Sequence, residues 1–192
     1  THVGLLLPAS VGGALANISV LMAGRVPVNL NFTIGAEAIE AAIEQASIST
    51  IITSKRFLAK ANIAEMPGMV FLEDLRERIS TPSRVLALVT ARLVPRVLLQ
   101  RRYRGPARSD STATVIFSSG STGVPKGVVL THANVLANVD SLAQIFPMEM
   151  SDCFIGVLPF FHSFGFTGTL CLPAVLGVRV VYHPNPLEAK AI

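Results

Sequence analysis

The sequence predicts an α/β fold in which strands and helices alternate around a mainly parallel β-sheet, and two observations lead to this prediction. Short apolar runs, typical of buried strands, alternate with segments whose apolar residues recur at helical spacing. In addition, 51% of the 192 residues are hydrophobic and only 15% are charged, which provides a sizeable core and excludes a disordered chain. We therefore expect one large or two small domains.

Residues 1–77 show this alternation most clearly. The predicted strands are residues 3–7, 26–30, 49–53 and 69–72. Hydroxyl side chains are predicted to cap the helices that follow the first three strands: Ser10, Thr33 and Ser54. Residues 3–24 carry no charge, but Pro8 and the polar residues among them favour a buried strand and helix over a transmembrane span.

Residues 78–110 differ from the rest because they hold eight of the sixteen basic residues. These are Arg78, Arg84, Arg92, Arg96, Arg101, Arg102, Arg104 and Arg108. No acidic residue occurs between Arg78 and Asp110, apolar residues give the segment a second side, and Pro95 is expected to kink it. A surface helix pair with a solvated basic face is the favoured interpretation, because the pattern is irregular. The alternative is peripheral contact of residues 84–104 with an anionic membrane or an acidic partner.

Residues 111–192 return to the alternating pattern. The predicted strands are residues 114–117, 128–130, 154–158 and 178–182, and the predicted helices are residues 133–146 and a helix broken near Pro173.

The cysteine spacing and the net charge exclude several classes of function for the whole chain. Cys153 and Cys171 have no Cys-x-x-Cys spacing, which excludes a disulfide scaffold and a zinc ribbon. The net charge of +4 comes without a continuous basic block, so nucleic-acid binding is not predicted.

The most informative stretch is the loop over residues 118–127, Ser-Ser-Gly-Ser-Thr-Gly-Val-Pro-Lys-Gly, which follows a predicted strand. Its glycines allow backbone N–H groups to approach an oxyanion, its hydroxyls can donate to phosphate oxygens, and Lys126 adds a positive charge. The loop therefore predicts a polyphosphate site. It is not a Walker A loop, because Pro125 precedes the lysine and a β-branched run follows. It is not a hydrolase elbow either, because Ser119 stands where that motif needs glycine.

Two motifs together resemble the adenylate-forming (AMP-binding) superfamily, which includes acyl-CoA and acyl-carrier-protein synthetases. Residues 119–127 resemble its signature loop, and residues 158–165, Leu-Pro-Phe-Phe-His-Ser-Phe-Gly, resemble its Leu-Pro-x-x-His-x-x-Gly segment. The resemblance covers residues 1–192 and implies the central part of such an enzyme's large N-terminal domain. Residues 4–8, 31–33, 71–75 and 162–165 are similar to the acyl-carrier-protein synthetase domain of the bacterial 2-acylglycerophosphoethanolamine acyltransferase.

The resemblance implies a reaction and assigns residues to it. A fatty acid would be activated as an acyl-adenylate with ATP and Mg²⁺, then transferred to acyl-carrier protein or CoA in the cytoplasm or at the inner face of the membrane. The residues implied to bind the phosphates are Ser119, Gly120, Ser121, Thr122, Gly123, Lys126 and Gly127. Thr122 is also implied to contact the metal. Lys126 and His162 are implied to be catalytic, with His162 near the acyl carboxylate.

Several alternatives remain at this point. The acid can be an aryl or amino acid, or the chain can be a non-catalytic adenylation fold that serves as a membrane or partner scaffold. Phe160, Phe161, Phe164 and Phe166 can line an acyl tunnel or belong to the core. The family's later motifs do not occur in residues 1–192, so we expect that this chain alone cannot complete adenylation, which steady pyrophosphate exchange would contradict.

Overall fold

Four parallel strands form the first sheet of the computed structural model, which describes residues 1–103, 108–118, 125–185 and 188. The strands are β1 (His2–Leu5), β2 (Val26–Asn29), β3 (Ile51–Thr53) and β4 (Met69–Phe71). They are ordered β2-β1-β3-β4, and every neighbouring pair is parallel. The predicted α/β fold and parallel sheet are confirmed, with strands one or two residues shorter than expected.

The connecting helices are α1 (Val11–Met22), α2 (Ala36–Gln45), α3 (Lys55–Ala61) and α4 (Leu72–Arg78). Two predicted caps are confirmed, because the hydroxyls of Ser10 and Ser54 accept hydrogen bonds from backbone N–H groups three residues later. The third predicted cap, Thr33, was wrong. Helix α2 begins after Gly35, whose φ of 90° turns the chain without a side-chain cap. The Thr33 hydroxyl donates instead to Asn31 Oδ1 at 2.7 Å.

The basic segment forms two helices, α5 (Thr81–Leu93) and α6 (Arg96–Tyr103), and neither contains a buried residue. Pro95 separates them, and Val94 before it is extended, as a residue preceding proline prefers. The predicted surface helix pair is therefore present. Within the described ranges, no helix has the length and apolarity needed to cross a membrane.

The second part of the chain contains two strand pairs. β5 (Thr112–Ser118) and β6 (Lys126–Thr131) form an antiparallel hairpin, whereas β7 (Cys153–Gly156) and β8 (Arg179–Tyr182) are parallel. The hairpin follows from chain length, because the few residues between β5 and β6 cannot form the long crossover that a parallel pair requires. Helix α7 (His132–Ile145), a π-helical segment (Gly165–Cys171) and α8 (Leu172–Leu176) complete this part.

Strand β5 ties the two parts together. The Thr114 hydroxyl donates to Pro27 O of β2 at 2.8 Å, and Val115 and Phe117 lie in one buried cluster with Val28. A second cluster joins Ala14 of α1 to aromatic residues that include Phe160 and Phe166. The strand that leads into the predicted phosphate loop is therefore anchored in the core.

Candidate functional site

The β5–β6 hairpin fixes the two ends of the predicted phosphate loop. Ser118 pairs with Lys126 across the hairpin, and the Ser118 hydroxyl donates to Lys126 O at 3.4 Å. The residues between these ends that were predicted to bind phosphate or metal lie outside the described residues: Ser119, Gly120, Ser121, Thr122 and Gly123. Their assignment stays a prediction, whereas the structure shows that Ser118 and Lys126, which flank them, are both exposed.

Lys126 is an exposed cation at the C-terminal end of this loop. No carboxylate within the described part of the chain forms an ion pair with its ammonium group. A lysine without an acidic partner, next to a loop of hydroxyls and glycines, has the donor chemistry that a polyphosphate requires. The described end of the loop therefore fits the predicted ligand. No group of three His, Cys, Asp or Glu side chains that could hold a metal is present in the described ranges.

Gly127 has a packing role that the sequence did not reveal. A Cβ atom at this position would lie 3.1 Å from Val115 Cγ1 and 3.2 Å from the ring of Phe117, its cross-strand partner. The aromatic ring therefore occupies part of the space that a side chain at Gly127 would need, although Gly127 itself is exposed. This close packing disfavours a side chain at position 127 without reference to a ligand, and the predicted role in phosphate binding stays a prediction.

His162 lies on an exposed turn in the second motif. Its backbone N–H donates to Pro159 O at 3.1 Å, and its carbonyl accepts from Phe166 N at 2.8 Å. Gly165 closes the turn, since a Cβ there would lie only 2.0 Å from Pro159 O. The His162 ring contacts the ring of Phe161, with 4.7 Å between centroids. The turn thus exposes the imidazole of His162 to solvent, and the buried ring of Phe161 packs against it.

The four phenylalanines of this region separate into two groups. Phe160, Phe161 and Phe166 are buried, and they pack against neighbouring rings or the apolar core. Phe164 is 61% exposed and lines a neighbouring pocket. Three of the four are therefore core residues, and only Phe164 is placed to contact a ligand.

That pocket has a volume of about 530 Å³ and is mainly apolar, with Asp152 and Thr169 as polar lining residues. Phe146 follows α7 on one side, Cys153 and Ile155 of β7 line another, and Phe164 and Gly168 of the π-helical region complete it. The sequence indicated Phe164 as a possible acyl contact but not the rest of this site, because its walls come from three separate segments. The only local signal was the apolar character of each segment, which a core residue shares. An apolar pocket of this size can hold an alkyl or aromatic group.

The two cysteines differ sharply in this setting. Cys153 is exposed at the pocket, whereas Cys171 is partly buried and burial raises the pKa of its thiol to about 12. Because the thiolate is the reactive form, Cys171 is protected from alkylation at neutral pH. The chain therefore carries one accessible thiol at the pocket, Cys153, and one protected thiol, Cys171, which can serve as the control in a labelling experiment.

Comparison with known proteins identifies the family. The model of the family described as "AMP-binding enzyme" matches residues 1–192. The chain belongs to this family. Its relatives include the long-chain-fatty-acid–CoA ligase of Bacillus subtilis (strain 168), 24% identical over 217 aligned residues that cover 100% of this chain and 39% of that ligase. The medium-chain-fatty-acid–[acyl-carrier-protein] ligase TtuA of Teredinibacter turnerae is 42% identical over 72 residues, 38% of this chain and 11% of that protein.

Solved structures confirm the fold of this chain. MenE, the o-succinylbenzoate CoA synthetase of Bacillus subtilis, in complex with its acyl-adenylate intermediate, superposes with a TM-score of 0.75 at 20% identity, covering 99% of this chain and 45% of MenE. The N-terminal domain of FACL13 from Mycobacterium tuberculosis gives 0.72 at 23% identity, covering 99% and 46%. The chain thus spans less than half the length of these proteins, and MenE has also been solved with ATP and a magnesium ion.

Proposed function

We propose that this chain is part of an ATP-dependent acid–thiol ligase that activates a fatty acid and passes the acyl group to acyl-carrier protein or CoA. The observation that carries the proposal is the apolar pocket of about 530 Å³ beside Phe164 and Gly168, in a chain whose family includes fatty acid ligases. Its lining offers aliphatic and aromatic contacts along an alkyl chain, with few groups to pair with a polar acid.

The phosphate end of the reaction is assigned to the loop after β5. Activation joins a carboxylate to the α-phosphorus of ATP and releases pyrophosphate, so two anions must be brought together. Lys126 would neutralise the β- and γ-phosphates, and the hydroxyls and glycines of residues 119–123 would hold them, with Thr122 on Mg²⁺. ATP supplies the leaving group, while the chain supplies charge and orientation.

His162 is proposed to orient the acid. The ring of this exposed residue contacts the ring of Phe161. His162 precedes Phe164, which lines the pocket, by two residues. An imidazole N–H at that place can donate to a carboxylate oxygen, which would hold the reacting end of a fatty acid outside the apolar pocket. Histidine is thereby proposed as a positioning group and not as a base.

The thiol that accepts the acyl group and the branch of the family are more specific parts of the same proposal. Relatives of both acceptor types match this chain, among them the Bacillus CoA ligase and the Teredinibacter acyl-carrier-protein ligase. We propose the acyl-carrier-protein branch that resembles the bacterial 2-acylglycerophosphoethanolamine acyltransferase. Its support is the set of short matches at residues 4–8, 31–33, 71–75 and 162–165.

Binding of ATP to the loop predicts a Lys126-dependent thermal shift. At ATP–Mg²⁺ concentrations ten times the dissociation constant, mass action stabilises the folded chain by about 1.4 kcal/mol. For a chain of this size, that raises the melting temperature by roughly 3–6 °C. Lys126→Ala is expected to abolish the shift, while Lys60→Ala, which removes another exposed lysine, keeps it. Equal shifts in all three proteins would contradict the assignment of Lys126.

Occupancy of the apolar pocket predicts protection of Cys153. N-ethylmaleimide should modify Cys153 and spare Cys171, which mass spectrometry of the peptides distinguishes. Decanoate at ten times its dissociation constant is expected to slow modification of Cys153 by about tenfold through mass action. Succinate, a polar acid, serves as the control and should have no effect. Unchanged labelling with saturated acids of every chain length would contradict the acyl pocket.

A further inference from the structure

Helices α5 and α6 carry a dense set of large apolar side chains that nothing in the described part of the chain covers. The exposed ones include Val85, Leu86, Leu88, Val89, Leu93 and Leu98. Leu88 and Leu93 are 61% and 76% exposed. Single exposed leucines are ordinary on protein surfaces, but this many on two consecutive helices with no buried residue call for a partner.

The apolar residues of α5 follow helical spacing. Val85, Leu88, Val89 and Leu93 recur at intervals of three or four residues, so they share one side of the helix, with Leu86 at its edge. Arg92 lies within the same arc and Arg84 at its border. Long arginine stems can lie along an apolar layer while their guanidinium groups reach outward, so this placement is compatible with burial of the aliphatic residues.

The charge on the same two helices has one sign. Five arginines occur in α5 and α6: Arg84, Arg92, Arg96, Arg101 and Arg102. None of them forms an ion pair with a carboxylate in the described residues, and no acidic residue occurs from 79 to 103. The surface of α5 and α6 is therefore both apolar and positively charged. Its partner must have negatively charged groups at its surface and apolar groups below them.

We propose that α5 and α6 bind the surface of a membrane that contains anionic phospholipids, with the aliphatic side chains among the upper acyl chains and the arginines at the phosphates. A lipid surface fits better than an acidic protein. Branched aliphatic residues spread along one side of α5, whereas a protein interface concentrates its energy in a few aromatic and arginine anchors. The arginines complement the phosphate headgroups along both helices. This assignment uses no residue of the proposed ligase site and stands or falls separately from it.

Insertion of α5 can be measured with one tryptophan, because the chain contains none. Leu88→Trp places the reporter on the proposed surface, and Leu15→Trp, at an α1 position that is 58% exposed, is the matched control. With vesicles of equal parts phosphatidylcholine and phosphatidylglycerol, the emission of the Leu88→Trp protein should shift to shorter wavelength and the protein should float with the vesicles. High salt or pure phosphatidylcholine should abolish both effects, and Leu15→Trp emission should not shift.

Charge is tested by a matched pair of variants in the same flotation assay. Arg96→Gln/Arg101→Gln/Arg102→Gln is expected to weaken binding to the anionic vesicles by about a hundredfold. Arg25→Gln/Arg56→Gln/Lys60→Gln removes the same charge from exposed positions elsewhere and should bind like the unmodified chain. Equal binding of the two variants, equal binding to both vesicle types, or no flotation of the unmodified chain would overturn the proposal. So would retention on acyl-carrier protein, an acidic protein, without flotation, which would assign the surface to a protein partner.

Discussion

Gly165→Ala is expected to lower the free energy of unfolding by about 3 kcal/mol or more, because the added methyl group has no space. Its Cβ would lie 2.0 Å from Pro159 O and 2.8 Å from Pro159 C, both backbone atoms that a rotamer change cannot move. The turn that presents His162 would have to open, and the Phe166 N–H bond to His162 O would break. Urea denaturation followed by circular dichroism measures the change.

Gly168→Ala is the matched control for this prediction. It adds the same methyl group three residues later in the same π-helical segment, where the nearest atom is 3.4 Å away on the ring of Phe164. That ring is exposed and can shift, so a change within about 1 kcal/mol is expected. If Gly165→Ala were as stable as Gly168→Ala, the close approach of Pro159 would not be what selects glycine at this position.

Asn17→Leu is expected to destabilise the chain by about 3 kcal/mol, because it leaves the buried Asn29 amide without its partner. The two side chains form a reciprocal pair between α1 and β2, with Nδ2–Oδ1 distances of 3.0 and 2.8 Å. Asn17 Nδ2 also donates to Gly13 O at 2.9 Å. Replacing Asn29 by Leu as well should recover part of the loss, which a double-mutant cycle in urea quantifies.

Asn138→Leu provides the control on a helix surface. Asn138 Nδ2 donates to Asn134 O at 3.0 Å, the same local contact that Asn17 makes, but Asn138 is exposed and water can replace the bond. Its substitution should change stability by less than about 0.5 kcal/mol. A loss as large as that of Asn17→Leu would mean that the local contact, and not burial of the pair, determines the cost.

The functional assignment connects these structural positions to the chemistry. Gly165 belongs to the motif that suggested an acyl ligase, yet in the structure its task is to let the chain pass Pro159 and bring His162 to the surface. Gly127, also from a signature motif, leaves room for the ring of Phe117 on the neighbouring strand. Residues of a functional motif therefore include some whose type is constrained by packing inside the chain itself.

What the sequence determined by itself was local or chemical in character. Ser10 and Ser54 could be recognised as helix caps because the hydrogen bond involved spans only three residues. The alternation of strands and helices followed from apolar periodicity, and the phosphate loop and the Leu-Pro-x-x-His-x-x-Gly segment were sufficient to indicate the family. These signals act within about ten residues, so no tertiary information was needed to interpret them.

Only the tertiary structure decided which of several equivalent residues takes which place. It put Phe160 and Phe166 in the core and left Phe164 at the pocket, although all four neighbouring phenylalanines have the same chemistry. It also joined the end of α7, strand β7 and the π-helical segment into one apolar cavity. The physical reason is that burial depends on contacts between segments far apart in the chain, and hydrophobic attraction has no direction that a local sequence could encode.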